Sequence, residues 1–153
     1  MKEKDGISVK GFGRVQLVNV RNGKIEADTG WQKNVITESG FDDAIVGAIG
    51  GIAASSQMTH LQIGTQTDAP ASTQSTLSGE FGTRVAVTPT LVGAGTLQAT
   101  ANWTTAQNTQ SDSGAIAAYG TSSGGSCLNA LTFATSAKTT DQEMNATLQW
   151  QFS

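Results

Sequence analysis

The residues able to do chemistry are few. His60 is the only histidine and Cys127 the only cysteine in 153 residues. A nucleophilic site of the serine hydrolase kind needs a base beside its nucleophile, and no GxSxG elbow accompanies His60, so it is read as a structural residue of a strand. Zinc asks for three or four Cys, His or carboxylate ligands, which one Cys and one His do not supply. Asp42 and Asp43 are neighbours at the start of a predicted helix, where their side chains diverge by about 100° and cannot share a proton as a catalytic dyad does. Their expected role is to favour the helix N-terminus. Asp141 and Glu143 fall on one strand face, without the acidic loop that would make a calcium site of them. Gly11, Gly13, Gly93 and Gly95 lack the context of a nucleotide cradle. Cys127, set among small residues with no basic neighbour, reads as a buried small hydrophobe. No active site assembles, so the expectation is a protein that is not an enzyme and carries no cofactor or metal.

Composition narrows the alternatives. Charged residues make up 14% and aromatics 6%, with a net charge of -3, while Gly, Ser and Thr exceed a third of the chain. Seven of the nine Lys and Arg fall within the first 33 residues, balanced by seven acids up to Asp43. Without a basic patch beyond that stretch, nucleic acid is not the expected partner. No apolar run reaches the length of a membrane span and no secretory signal is legible at the start, so the chain is expected to be made in a cytoplasm and to stay out of membranes.

The elements that must position any site are mostly strands. Val15, Leu17 and Asn19 alternate with Arg14, Gln16, Val18 and Val20, and Asn22-Gly23 offers a tight turn before Lys24 to Asp28, so residues 13–28 predict a hairpin. Trp31 to Ile36 reads as a connector or short strand. Phe41, Ile45, Val46 and Ile49 recur at helical spacing; Ser39 and Asp42 resemble a capping box and Gly50-Gly51 a stop, predicting one short α-helix over residues 39–49. Met58 to Gly64 is a strand, and Thr65 to Gly79 a long polar loop containing Pro70. Strands follow at Arg84 to Leu91, Thr96 to Thr104, Gly114 to Tyr119, Cys127 to Ala134 and Met144 to Phe152. Trp103 and Trp150 lie on apolar strand faces and belong to the core, whereas Trp31 is the exposed or interface aromatic. The pattern predicts a mainly β chain, an antiparallel β-sandwich of jelly-roll-like kind, with a domain over 13–153 preceded by an N-terminal arm, residues 1–12.

Four segments carry a resemblance: GWQKNVITESGFDDAI, LQIGTQTDAPASTQSTLSGE, AIAAYGTSSGGSCLNALTFAT and the closing NATLQWQF. Together, across residues 30–152, they resemble small virion proteins of tailed bacteriophages, a group of head decoration, head-fibre and tail-fibre-like components. The chain departs from that pattern at Gly64 to Thr67, where GTQT stands for GTGT, and at SGAIAAYG, where a usual glutamate is replaced. The resemblance implies a non-enzymatic structural protein, foremost a capsid decoration or cement subunit on the head exterior that binds the major capsid protein. A head- or tail-fibre component is the alternative it allows. Partner contacts are expected from the arm (Lys2, Lys4, Lys10), from Trp31 and from the loop (Asp68, Pro70, Thr73, Thr76). Sheet edges covered within a homo-oligomer, a trimer for instance, fit the same reading. A carbohydrate-binding module stacking a host glycan on Trp31 or Tyr119 is the competing reading from another class.

Overall fold

A computed structural model describes residues 6, 8–52 and 57–153. Lys2 and Lys4 therefore lie outside the described residues. Among the described residues ten strands form one antiparallel sheet that curls on itself into two facing halves, a β-sandwich-like half-barrel with one short helix. The strands are β1 (Val9–Asn19), β2 (Ile25–Asp28), β3 (Gln32–Ile36), β4 (His60–Gly64), β5 (Val85–Ala86), β6 (Thr90–Gly93), β7 (Thr96–Trp103), β8 (Gln110–Tyr119), β9 (Cys127–Lys138) and β10 (Gln142–Phe152). Their order is β5-β4-β8-β9-β3-β1-β10-β7-β6, with β2 added to β1. Val9 to Phe12, assigned by sequence to the arm, are the first residues of β1, paired with Phe152 to Gln149 of β10.

Period-2 alternation decides the inner faces. Val15 and Leu17 of β1, Ala99, Ala101 and Trp103 of β7, and Met144, Ala146, Leu148 and Trp150 of β10 meet Leu61, Ile63, Ile116, Ala118, Leu128, Leu131 and Phe133 from the other half. Each large side chain so buried contributes about 1.5–3 kcal/mol. The β1–β2 hairpin forms as read, but its turn takes four residues, 20–23, closed by Asn19 N–H to Lys24 O at 2.9 Å and Gly23 N–H to Asn19 O at 2.8 Å; of the pair Asn22-Gly23 only Gly23 takes a positive φ, 69°. β3 joins the two halves: Gln32 to Asn34 pair with Gly13 to Gly11 of β1, and Val35 and Ile36 then pair with Ala130 and Asn129 of β9.

The segment Arg84 to Leu91 is two strands, not one. β5 pairs with β4, β6 with β7, and the chain crosses between the halves at Thr88-Pro89, where proline supplies no donor to a ladder. The helix stands where the spacing puts it, but Gly40–Val46 is π-wound, with α winding only at residues 38–39 before it and at Gly47–Ile49 after it. The wider winding changes the phase of the apolar residues. Ile45 is buried, while Phe41, Val46 and Ile49 face outward. The cap also differs: Ser39 makes no capping bond, and Thr37 takes its place, its Oγ1 accepting from Gly40 N–H at 3.1 Å. Thr37 also donates to the Cys127 carbonyl and is 1% exposed. Thr37→Ala therefore removes the cap and leaves a buried carbonyl without its donor, and is expected to destabilise the protein by about 1–2 kcal/mol, read as a lowered urea midpoint. Gly40 packs so closely on β9 that a Cβ there would meet the Leu128 carbonyl, which is why this turn begins on glycine.

Candidate interaction surface

The long loop after β4 is locked to the sheet. Alanines on the outer face of β8 and β9 leave a shallow bed, and Leu77 fills it against Ala115, Ala117, Tyr119, Cys127 and Ala130. The polar groups around it are matched. Leu77 N–H donates to Tyr119 Oη at 2.9 Å, Cys127 N–H to Ser75 O at 2.8 Å, and Glu38 N–H to Ser72 O at 2.8 Å. Gln66 and Gln74 exchange amide bonds at 2.8 and 3.1 Å across the loop.

Arg84 clasps the end of this loop. Its guanidinium donates to both Glu80 oxygens at 3.0 and 3.1 Å and to the carbonyls of Thr121 and Gly124 at 3.0 and 2.7 Å. It stacks 3.4 Å above the Tyr119 ring, and its side chain is only 5% exposed. One planar cation thus ties the loop, the sheet and the Gly120 to Ser126 turn together, a geometry that only guanidinium supplies. With the loop so held, Asp68, Thr73 and Thr76 face solvent and Pro70 is half-buried.

Beside the loop, β1, β3 and the start of the helix border a groove of about 510 Å³ whose lining includes Lys10, Lys33, Asn34, Glu38, Phe41 and Ser72. Two lysines and the carboxylates of Glu38 and Asp42 give it both signs of charge, and Phe41, 47% exposed, stands at its edge. Asn34 donates to the Phe12 carbonyl at 3.1 Å, but its Oδ1 is buried without a donor. The structure therefore brings Lys10 and the loop residue next to Thr73 onto one groove. Trp31 lies elsewhere, 47% exposed beside Phe12, Gln149 and Gln151 in a depression of about 330 Å³.

The residues weighed for chemistry are dispersed. His60, the first residue of β4, has its Nδ1 2.9 Å from Oγ1 of the preceding Thr59. Asp141 pairs with Arg21 at 2.8 Å, while Glu143 accepts from Asn102. Among the described residues no three His, Cys, Asp or Glu side chains gather where a metal ion could sit, and no helix is long and apolar enough to cross a membrane. Trp103 and Trp150 are core residues, 0% and 3% exposed. Tyr119 is fully buried, so it offers no platform to a sugar. The Arg14 guanidinium, with Gly30 N–H and Gln16, holds the Asp28 carboxyl well below the usual carboxylate range. Burial lowers Lys138 and raises Tyr119, and it pushes the Cys127 thiol up to about 11.

A thiol raised on folding keeps its proton while the unfolded chain, near 9, has lost its own, so this share of stability is complete below pH 9 and disappears as pH rises toward 11. Tyr119 shifts in the same direction, and the loop should loosen first on the alkaline side. At pH 8 a maleimide is expected to label Cys127 at the rate of unfolding or loop opening. Immediate labelling of the native protein would contradict that burial.

Sequence reading missed Arg84, Glu80, Phe41 and Glu38. Phe41 was visible only as a member of an apolar helical stripe, and the Arg84 cluster joins residues too far apart for any local signal. No known protein family, curated protein or solved structure matches the chain.

Proposed function

We propose that this chain is a non-enzymatic structural protein of a tailed-phage virion, foremost a decoration or cement subunit that binds the outside of the head across neighbouring copies of the major capsid protein. The observation that carries this reading is the locked loop. Long loops tend to be mobile, and ordering one on binding weakens affinity. Here Leu77, Tyr119 and Arg84 hold it in place beforehand, so Asp68, Thr73 and Thr76 stand as a preorganised polar display beside the Lys10 groove. Phe41 supplies an apolar anchor within a polar rim, the composition of a non-obligate interface. The four segments resembling phage virion proteins include this loop and the turn that Arg84 clasps.

The mechanism is mass action. A subunit that binds only the assembled shell stabilises each site by RT ln(1 + [L]/Kd), about 2.7 kcal/mol at a hundredfold excess over Kd. Heads stripped of the protein should lose heat resistance and regain it when purified protein is added back. Heads equally stable with and without it, and no cosedimentation, overturn the decoration role. A fibre role then follows if the protein is retained at one vertex or on the tail.

A further inference from the structure

We infer that the chain self-associates head to tail, the β6 edge of one copy entering a wedge between β9 and β2 of the next. This stands on the sheet itself and does not rest on the virion reading. β3 crosses obliquely from β1 to β9, and its ladder with β9 covers only Asn129 and Ala130. Beyond Leu131, β9 keeps β8 on one side and, among the described residues, has no strand on the other, as far as Lys138. Facing it is β2, bonded to β1 along one edge and, among the described residues, to no strand along the other. Between these two edges lies a cavity of about 370 Å³ whose lining includes Val15, Leu17, Ala27, Phe133 and Met144.

Two free strand edges flanking an apolar floor fit an extended backbone: main-chain bonds to either side, with alternate side chains directed inward. Here β9 also bulges. Thr132 and Ser136 pair with Ala115 and Ser113, so four steps of β9 match two of β8, and Ala134 and Thr135 are exposed. Edge strands are commonly guarded by charge. This one is not: its only charged residue, Lys138, is 1% exposed.

The same chain carries a matching element. Among the described residues β6 (TLVG) pairs only with β7, and it is exposed along its length, with Leu91 78% and Val92 49% exposed. From Thr88 to Leu97 it bears no charge, so nothing repels it from the equally uncharged stretch Leu131 to Ala137. In the strand order β10 and β7 stand between β6 and β1, which makes another copy's wedge the one it can enter. Two different patches meeting give a heterologous contact, which closes into a ring or runs on as a filament.

Native mass spectrometry and sedimentation of the full chain test this. The wild type is expected above monomer, and Leu91→Asp and Ala134→Pro are each expected to be monomeric. Both residues are exposed, and Ala134 has no β8 partner in the ladder, so far-UV circular dichroism should be unchanged. Mixing the two variants is diagnostic. One keeps its wedge and the other its β6, so together they form a heterodimer and nothing larger. A wild type that is monomeric up to its solubility limit, variants that still assemble, or a mixture that does not pair each overturn the proposal. Should either variant misfold, amide exchange of wild-type Thr132 to Ser136 decides: protection that is lost on dilution supports the contact, and fast exchange at every concentration refutes it.

Discussion

Replacing Trp103 by alanine should lower stability by about 3–5 kcal/mol, enough to leave much of the chain unfolded at moderate temperature, since domains of this size hold about 5–15 kcal/mol in all. Trp103 is fully buried in the middle of the core opposite Met144, and its Nε1 donates to Thr83 O at 3.3 Å. Thr83 is in turn fixed by Asn108, whose Oδ1 accepts from Thr83 N–H at 3.0 Å and whose Nδ2 donates to Phe81 O at 3.0 Å. The substitution therefore opens a cavity and frees the chain leading into β5. Trp103→Phe should retain more than half of the loss-free stability, because it keeps a ring but not the donor. Trp31→Ala, at a half-exposed tryptophan, should change stability by within about 0.5 kcal/mol. Urea unfolding followed by far-UV circular dichroism separates the three. Equal midpoints for Trp103→Ala and Trp31→Ala would contradict the assignment of core and surface.

Arg84→Ala ranks second, at about 3 kcal/mol. Removing one partner of a mostly buried ion pair leaves the other uncompensated, and here Glu80 keeps some contact with water, which moderates the loss. Two carbonyls and the face of Tyr119 lose their cation as well. Arg84→Lys should recover little, since an ammonium cannot bond Glu80 and the Thr121 to Gly124 turn at once while lying flat on a ring. The damage should also be local: amide exchange of residues 65–79 and 120–126 should quicken more than that of β10. Uniform acceleration would mean that Arg84 serves the core and not the loop.

What the sequence disclosed was whatever repeats locally. Alternation in β1, β7 and β10 placed Val15, Leu17, Trp103 and Trp150 on the inner face, and Asn22-Gly23 located the hairpin, though not the length of its turn. Helical spacing located residues 39–49. The spacing did not show which side is buried, because π winding changes which residues align, and the capping pattern pointed to Ser39 where Thr37 makes the bond, because capping depends on where the backbone turns. Apolar alternation could not reveal that Arg84 to Leu91 divides between two half-sheets, since both pieces alternate alike and only Pro89 hints at the break. β8 and β9 extend past their predicted ends because Gln110 and Ser113 pair with Lys138 and Ser136 in stretches too polar to alternate.

Of the residues expected to meet a partner, Lys10, Asp68, Thr73 and Thr76 are exposed, with Lys10 on the groove that the loop borders. Their common setting could not be seen in advance, because it depends on Leu77, Tyr119 and Arg84 meeting across the sheet. Glycine and alanine on the outer face of β8 are weak signals in a sequence. In the fold they are what gives the loop a seat.

The most direct test of the virion reading is to label with gold-conjugated antibody against this chain the intact phage particles produced by cells that make it. Gold distributed over the whole head is the expected result, and it agrees with many copies on the capsid lattice. Particles that bind no gold and contain no such chain by mass spectrometry would contradict a structural role in the virion.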